Sequence, residues 1–369
     1  MEMTPRERVL RVLRGQRPDA VPWFGDLDYW ATALIGRGLK PPNFKTSRAY
    51  LDWHRDLGVG FYLQGYYPFR TIFPPGIRVE EWREGLDRLR RIETPHGTLR
   101  ERWRWLPDSF SDAPVERLIK SADDLPAYAW MHRNLRYEPD YDLAARRTAE
   151  VAEIGLVLAY LPKSPLMQMI ALDSGIENVV GILSDEPGRF EETLEAVGES
   201  HRRAAEIAVA CPVDVLMIPE NLSSEVVGVS LYERYMRAYH EKWTARIAGA
   251  RKFSSIHLDG TLRGLLGRVC SAGFSFVEAM TPAPVGDAAI EEWAALAGGV
   301  PTVLWGGLPG VYFTGQVSDE EFDRHTRAVL AVMRREPRYV LGVADQVPPD
   351  GLESRVRRVA ELVEKGGRY

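Results

Sequence analysis

A histidine and two aspartates, far apart in the sequence, have the residue types and spacing that indicate chemistry most directly. His257 and Asp259 come at the end of one apolar run, and Asp345 follows another near the C-terminus. Residues two apart in a strand point to the same side of a sheet, so His257 and Asp259 can face one ligand. One imidazole and two carboxylates suit zinc, manganese or iron(II), and they can also transfer protons. In the structural alternative, His257 bonds Asp259 or a backbone carbonyl, and Asp345 caps the last loop.

Apolar runs that alternate with helical patterns predict the elements that position these groups. The predicted strands are residues 21–26, 58–64, 154–160, 214–219, 253–258, 274–279, 301–306 and 338–343. Helical periodicity fills residues 165–183, 187–210, 231–250, 262–272, 287–297, 318–335 and 352–364. Near-continuous apolar strands joined by helices predict an α/β fold, a closed (β/α)8 TIM barrel. An open doubly wound sheet is the alternative, although no Gly-x-Gly-x-x-Gly sequence opens a helix.

Residues 66–140 have a different pattern. Apolar and charged residues alternate there with a period close to two, and turn residues separate the runs. This pattern is typical of antiparallel strands that are exposed on one face. We therefore predict an antiparallel β insertion between barrel strands 2 and 3, within a single domain that spans residues 1–369.

The carboxyl ends of barrel strands meet at one mouth, where TIM barrels place their chemistry. The polar or functional strand ends, besides the histidine and two aspartates, are Asp26, Gln64, Tyr160, Lys163, Glu220, Asn221, Glu278, Trp305, Gly306 and Gly307. We predict substrate contacts at Asn221, Lys163, Gln64, Trp305, Gly306 and Gly307. Glu220 and Glu278 are costly to bury without a partner, so we interpret each as a general acid or base, or as an extra metal ligand. The alternatives are capping for these two glutamates and a simple turn for the two glycines.

Composition narrows the classes of partner. The 369-residue chain has 47 basic and 52 acidic residues and a net charge of −5, so it offers no basic surface for nucleic acid or an anionic membrane. Its two cysteines, Cys211 and Cys270, have neither metal-site nor disulfide spacing. No apolar run approaches the length of a membrane span, and the sequence does not begin with a signal-peptide pattern. We therefore expect a cytoplasmic enzyme that acts on a small molecule.

Several motifs resemble those of the uroporphyrinogen decarboxylase (URO-D) superfamily. They are Met3-Thr4-Pro5-Arg6-Glu7-Arg8-Val9-Leu10 with Arg17-Pro18-Asp19-Ala20-Val21-Pro22, His257-x-Asp259-Gly260, Trp305-Gly306-Gly307, and Gly342-x-x-Asp345-x-Val347-Pro348-Pro349. The resemblance covers residues 3–365, and it implies a (β/α)8 barrel. The fold implied in this way agrees with the fold predicted from the strand pattern.

The resemblance is closer to the corrinoid-dependent methyltransferase branch than to true decarboxylases. The decarboxylases use an arginine-rich loop to hold an acidic tetrapyrrole, whereas residues 26–30 here contain no arginine. The methyltransferases bind zinc through His-x-Cys and a later Cys, which match His257, Asp259 and Asp345 of this chain. Both thiolates are thus replaced by carboxylates, which would hold zinc more weakly. Thiol activation is put in doubt, and another acceptor such as a folate becomes a possibility.

The resemblance implies metal-dependent methyl transfer or demethylation, with zinc as the expected metal at His257, Asp259 and Asp345. A separate carrier protein would bring the corrinoid, because the chain has no Asp-x-His-x-x-Gly sequence for binding it. One alternative is a cofactor-free decarboxylase of a carboxylated ring, in which Asp26 is the catalytic group, assisted by Tyr160 and Lys163. The other alternative is a non-catalytic binding protein that keeps the fold.

Overall fold

Helices and strands alternate along most of the chain in a computed structural model that describes residues 2–62 and 65–369. The helices are α1 (Pro5–Leu13), α2 (Asp28–Gly36), α3 (Arg48–Leu57), α4 (Leu125–Asn134), α5 (Asp142–Val151), α6 (Pro165–Met167), α7 (Ile176–Asp185), α8 (Pro187–Ala210), α9 (Val229–Tyr235), α10 (Arg237–Gly249), α11 (Leu266–Ser271), α12 (Trp293–Leu296), α13 (Asp319–Met333) and α14 (Glu353–Gly366). The strands are β1 (Phe69–Ile72), β2 (Arg78–Glu84), β3 (Asp87–Thr94), β4 (Gly97–Leu106), β5 (Ser111–Glu116), β6 (Arg136–Pro139), β7 (Leu158–Tyr160), β8 (Val215–Leu222), β9 (Phe253–Leu258), β10 (Phe276–Met280), β11 (Val303–Pro309) and β12 (Tyr339–Ala344). Among these described helices, none has both the length and the apolar character needed to cross a membrane.

The central sheet consists of six parallel strands in the order β12-β11-β10-β9-β8-β7. Its strands are apolar on both faces, as expected when a parallel sheet is covered on both sides. In β8, Val215 and Met217 belong to one buried cluster, and the alternating Leu216 and Ile218 belong to another. The sheet therefore separates two apolar layers. Alternate residues along a strand enter opposite layers.

Isolated parallel bridges extend from both edges of this sheet. They are Trp23–Leu341, Phe24–Gly60 and Phe61–Gly155. The first joins β12 to the early residues, and the last reaches the segment just before β7. The early segments predicted as strands thus make single-residue bridges. Gly60 permits one of them, because a Cβ atom there would lie 2.5 Å from the ring of Phe24.

Helix α1 packs against the residues at which the central strands begin. Its N-terminus has a capping box, in which the Thr4 side chain accepts from the Glu7 amide and the Glu7 carboxylate accepts from the Thr4 amide. Its buried residues Val9 and Val12 join the apolar cluster that contains Val215 of β8. The helix therefore covers the apolar layer that contains Val215 at the amino ends of the strands. The carboxyl ends, which carry the polar residues, lie away from this helix.

Antiparallel strands occupy the segment in which the sequence predicts them. Strands β2-β3-β4-β5 form one antiparallel sheet, and β1 pairs with β6 in another. Ile92 of β3 and Leu99 of β4 are buried, and they belong to the same apolar cluster as Tyr128 of α4. The alternation of apolar and charged residues thus reflects one face that packs on a helix and one that faces solvent.

Candidate metal centre

His257, Asp259 and Asp345, here called the triad, converge at the carboxyl ends of two strands. His257 lies in β9, Asp259 follows that strand, and Asp345 follows β12 directly. The Nε2 atom of His257 is 3.3 Å from Asp345 Oδ1 and 3.9 Å from Asp259 Oδ2. One potential ligand atom from each residue lies within 4.8 Å of the others. These distances and donor types fit a single divalent cation held by one nitrogen and two carboxylates.

Glu278 fixes the orientation of the His257 ring. Its Oε2 atom lies 2.7 Å from His257 Nδ1, and its Oε1 atom accepts a 2.7 Å hydrogen bond from the hydroxyl of Tyr62. The ring nitrogen Nδ1 can donate to this carboxylate oxygen, and Nε2 then faces the two aspartates. A carboxylate bonded to the far nitrogen in this way is the usual partner of a metal-binding histidine. Glu278, predicted as an acid, base or ligand, therefore contacts the triad through His257.

The centre has an excess of negative charge. Burial lowers the pKa of His257, but the nearby carboxylates of Glu278 and Asp345 outweigh that effect and raise the pKa well above its ordinary value. Burial raises the pKa of Asp259, with His257 opposing and the Asp345 carboxylate adding to the rise. Three carboxylates thus surround one imidazole. A divalent cation would relieve their repulsion, which is a second reason why the donor set fits a metal.

Asp26 holds the loop that carries Asp345. Its Oδ1 atom accepts from the Asp28 amide at 2.7 Å, and its Oδ2 atom accepts from the Gln346 side-chain amide at 2.8 Å. The Val347 amide also donates to the Asp26 carbonyl. Asp26 is almost fully buried, and burial, followed by the charge of Asp28, raises its pKa well above the ordinary value. Its contacts are those of a residue that positions Asp345, and the sequence analysis did not identify Gln346.

Glu220 points away from the triad. Its carboxylate accepts from the Ser164 amide at 3.0 and 3.2 Å and lies 2.8 Å from His240 Nε2 on α10. Both side chains of the Glu220–His240 pair are fully buried. In β8, Glu220 continues the even-numbered face of Leu216 and Ile218, which packs towards the helices. The prediction that Glu220 acts at the mouth therefore gains no support, and its histidine partner was not predicted.

Lys163 and Asn221, predicted to contact substrate, contact each other. The Lys163 ammonium donates to Asn221 Oδ1 at 3.2 Å and to the carbonyl of Pro219. Burial lowers the pKa of Lys163, while the charges of Glu220 and Asp259 oppose that effect. The influence of Asp259 indicates that this cation lies near the triad, although it already donates to two partners.

Tyr160 ends β7 with its ring 5.5 Å from that of Tyr67. Burial raises its pKa well above the ordinary value, and the charges of Asp26 and Glu278 add to this rise. The hydroxyl is therefore neutral and available as a donor near these carboxylates. Gln64, which was also predicted to contact substrate, lies outside the described residues.

Trp305, Gly306 and Gly307 lie inside a strand, so the prediction that the seventh strand ends at Gly306 is wrong. Strand β11 continues to Pro309. Trp305 is fully buried and stacks on Phe276, with ring centroids 4.9 Å apart. A Cβ atom at Gly306 would lie 2.2 Å from the carbonyl oxygen of Met280. The glycine is thus explained by close approach of the neighbouring strand, and the predicted substrate contact gains no support.

The parallel sheet with its flanking helices makes this an α/β protein, with a histidine–carboxylate cluster at its strand ends. Comparison of the sequence with models of known protein families identifies its family. The family model for uroporphyrinogen decarboxylase (URO-D) matches residues 143–366, which is more than half of the chain. The chain therefore belongs to the uroporphyrinogen decarboxylase family. No curated protein sequence is matched.

A solved structure of a methyltransferase from Methanosarcina mazei has a similar fold. The TM-score is 0.61 with 13% sequence identity, and the match covers 99% of this chain and 99% of the other. At this identity the similarity shows a common fold and leaves the reaction open.

Proposed function

We propose that this chain is a URO-D family enzyme that carries out metal-dependent methyl transfer or demethylation, with a corrinoid supplied by a separate carrier protein. The observation that carries the proposal is the convergence of three ligand atoms within 4.8 Å, beside an imidazole whose other nitrogen contacts Glu278. Family membership and the fold shared with a methyltransferase support it. The substrate would be a small methylated compound or the methylated corrinoid.

In this proposal the triad would hold the divalent ion, with zinc the first expectation. When bound, the ion would supply Lewis acidity that polarises or deprotonates the methyl acceptor. Glu278 keeps His257 Nε2 directed at the aspartates, and Asp26 places the loop of Asp345 through Gln346. Carboxylate ligands are harder than thiolates, so we expect zinc to compete with manganese and iron(II), and an oxygen or nitrogen acceptor, such as a folate, to suit the site.

We also propose that the isolated bridges complete a (β/α)8 barrel in a single domain spanning residues 1–369. The bridges connect β12, through the residues around 23 and 60, to the segment before β7. The antiparallel strands would then form an insertion between the second and third barrel strands. In this proposed topology the triad, Glu278 and Asp26 would lie at one mouth.

The charge of the centre disfavours the alternative of cofactor-free decarboxylation. A polyanionic ring needs cations at the mouth, whereas four acidic residues, Asp26, Asp259, Glu278 and Asp345, would lie there with the single imidazole of His257. Lys163, the cation near Asp259, already donates to Pro219 and Asn221. Like charges placed together would repel an acidic substrate, so methyl transfer is the better supported function.

Metal analysis of the purified protein tests the proposal. We expect about one divalent ion per chain in the parent and loss of that ion in His257→Ala and Asp345→Ala. Asp350→Ala is the matched control, because it removes an exposed carboxylate from the same loop outside the triad. A metal-free parent that takes up no added zinc, manganese or iron would refute metal dependence.

A second assay separates an enzyme from a non-catalytic binding protein. The metal-loaded parent should accelerate the loss of the methyl group from methylcobalamin in the presence of a folate or thiol acceptor, followed by absorbance. The His257→Ala variant should not. Metal binding without turnover on the acceptors or on small methylated donors would favour the binding-protein alternative.

A further inference from the structure

A cavity of about 330 Å3 lies between the antiparallel strands and helices α4 and α8. Its described lining includes Tyr67 and Pro162 but no residue of the triad, nor Glu278 or Asp26. Tyr67 lies on the side of the cavity towards the metal centre, since its ring lies 5.5 Å from that of Tyr160. The cavity is therefore separate from the metal centre, and its volume falls in the range of pockets that bind small organic molecules.

Several aromatic side chains contribute to the walls of this cavity. Its aromatic lining residues are Tyr67, Phe69, Phe73, Tyr128 and Tyr137. Phe69 of β1 and Tyr137 of β6 come from paired strands and meet edge to face, with ring centroids 5.5 Å apart. Rings arranged in this way favour a flat guest that can stack on one ring and meet the edge of another.

Two buried nitrogens of the lining, Arg90 Nε and His132 Nδ1, have no hydrogen-bond partner among the described residues, but Arg90 Nε lies 2.8 Å from a Glu101 oxygen. His132 Nδ1 therefore remains without a partner among these residues, and His132 is only 6% exposed. A buried group left in this state costs about 1–3 kcal/mol. Burial lowers the pKa of His132 well below its ordinary value, followed by the effect of His201, so the ring is neutral. His132 lines the cavity, and a neutral imidazole nitrogen beside a cavity can pair with a hydroxyl or an N–H group of a ligand.

The two charged residues of the lining have partners of their own. Asp173 accepts from the Tyr128 hydroxyl at 2.5 Å and from the Gln168 amide at 2.8 Å. Arg90 pairs with Glu101 at 2.8 Å. Because the lining contains one acidic and one basic residue, Asp173 and Arg90, its formal charges balance. The cavity therefore suits a guest without net charge.

We propose that this cavity is a second ligand site, which binds an uncharged planar aromatic molecule whose hydroxyl or ring N–H group pairs with His132 Nδ1. The site goes beyond the proposed function, because none of its described lining residues belongs to the triad. Its open side is formed by β1, where Phe69 and Thr71 face the cavity and Arg70, between them, does not line it. That alternation provides a matched pair of variants.

Binding of 2-naphthol to the full-length protein, measured by calorimetry or by the fluorescence of the probe, tests the proposal. We expect saturable binding to one site, and much weaker binding of decahydro-2-naphthol, which lacks the flat ring, and of the anion 2-naphthoate. In His132→Phe, which keeps a flat ring but removes the nitrogen, we expect roughly tenfold weaker binding, as for the loss of one buried hydrogen bond.

Two further variants locate the site. Thr71→Trp should block the cavity and abolish binding, whereas Arg70→Trp on the opposite face of the same strand should leave it unchanged. His257→Ala should bind 2-naphthol as the parent does, which separates this site from the metal centre. The inference is overturned if 2-naphthol does not bind, if Thr71→Trp and His132→Phe bind it normally, or if 2-naphthoate binds equally well.

Discussion

Replacing Glu278 by glutamine should weaken metal binding although Glu278 lies behind the triad. The carboxylate of Glu278 has two oxygens, and each contacts one group, Tyr62 Oη and His257 Nδ1, at 2.7 Å. Glutamine keeps the size but offers one acceptor oxygen, so either the tyrosine or the histidine would face an NH2 group. The substitution also removes the charge that strengthens the bond to the imidazole. His257 would then lose the constraint that directs Nε2 at the aspartates.

The expected loss of metal affinity in Glu278→Gln follows from the position of Glu278 behind the triad. Loss of the partner that orients a metal-binding histidine typically weakens metal affinity by roughly 10- to 100-fold, or about 1.4–2.8 kcal/mol. Zinc affinity of the parent and of Glu278→Gln should be measured by competition with a chromophoric chelator at fixed pH. The stability of the metal-free proteins should be compared in parallel, so that a folding defect is not mistaken for a binding defect.

Tyr62→Phe is the matched control, because it removes the other contact of the same carboxylate. The charge and the bond to His257 Nδ1 remain in this variant, so its loss of affinity should be clearly smaller than that of Glu278→Gln. Parent-like affinity in Glu278→Gln would show that another contact orients His257. Equal losses in both variants would show that packing around Glu278, and not its bond to the imidazole, is what counts.

Two further predictions concern stability. His240→Phe should lower the free energy of unfolding in urea by about 3–5 kcal/mol, because it leaves the buried carboxylate of Glu220 without its side-chain partner; a loss of metal content without a loss of stability would contradict this structural role. Burial lowers the pKa of His201 to about 4 and that of His54 to about 3. Both rings stay neutral in the folded protein while the unfolded chain takes up protons below about pH 6.5, so stability should fall from pH 6.5 to 4 by up to about 1.4 kcal/mol per pH unit for each ring. The slope measured by urea unfolding should become shallower in His201→Phe, and an unchanged slope would refute the assignment.

The strand pattern predicted the placement of the triad well. Strand β9 has the predicted bounds, residues 253–258, and β12 ends one residue after the predicted position. Each of these strands is buried and apolar, so its run of hydrophobic residues ends where the chain reaches the polar rim. The convergence of His257, Asp259 and Asp345 was predicted from the positions at which these two strands end. Their role as metal ligands stays a prediction.

The direction of Glu220 was harder to predict because it depends on parity and on pairing. The period of two carries Glu220 to the helix side with Leu216 and Ile218, and this signal was present in the sequence. The pairing of β8 with β9 is irregular between Ile218 and Leu222. No local sequence pattern predicts this irregularity. The partner, His240, lies on a different element, α10, and only tertiary packing brings it to Glu220.

The helix predicted over residues 165–183 is interrupted for a similar reason. It divides into α6, a π-helical segment at Gln168–Asp173, and α7. Gly175 precedes α7 with φ of 89°, a conformation that favours glycine. The apolar periodicity alone did not reveal the break. Gln168, Leu172 and Asp173 of the π-helical segment then line the cavity beside α4, and no pattern in the sequence predicts this.

The energetic cost of the centre argues that it has a function. Asp26 and Glu278 are almost fully buried. The charges of Asp345 and Glu278 act on Asp26, and Glu278 contacts the imidazole of His257. Burying charges is costly even when they are paired, and apolar residues of similar size are often as stable or more so. A protein that kept this fold only as a scaffold would gain by replacing Glu278 with an apolar residue. The retained carboxylate instead makes a bond whose one specific consequence is to direct His257 Nε2 at the two aspartates, and that consequence matters only if the nitrogen binds something there.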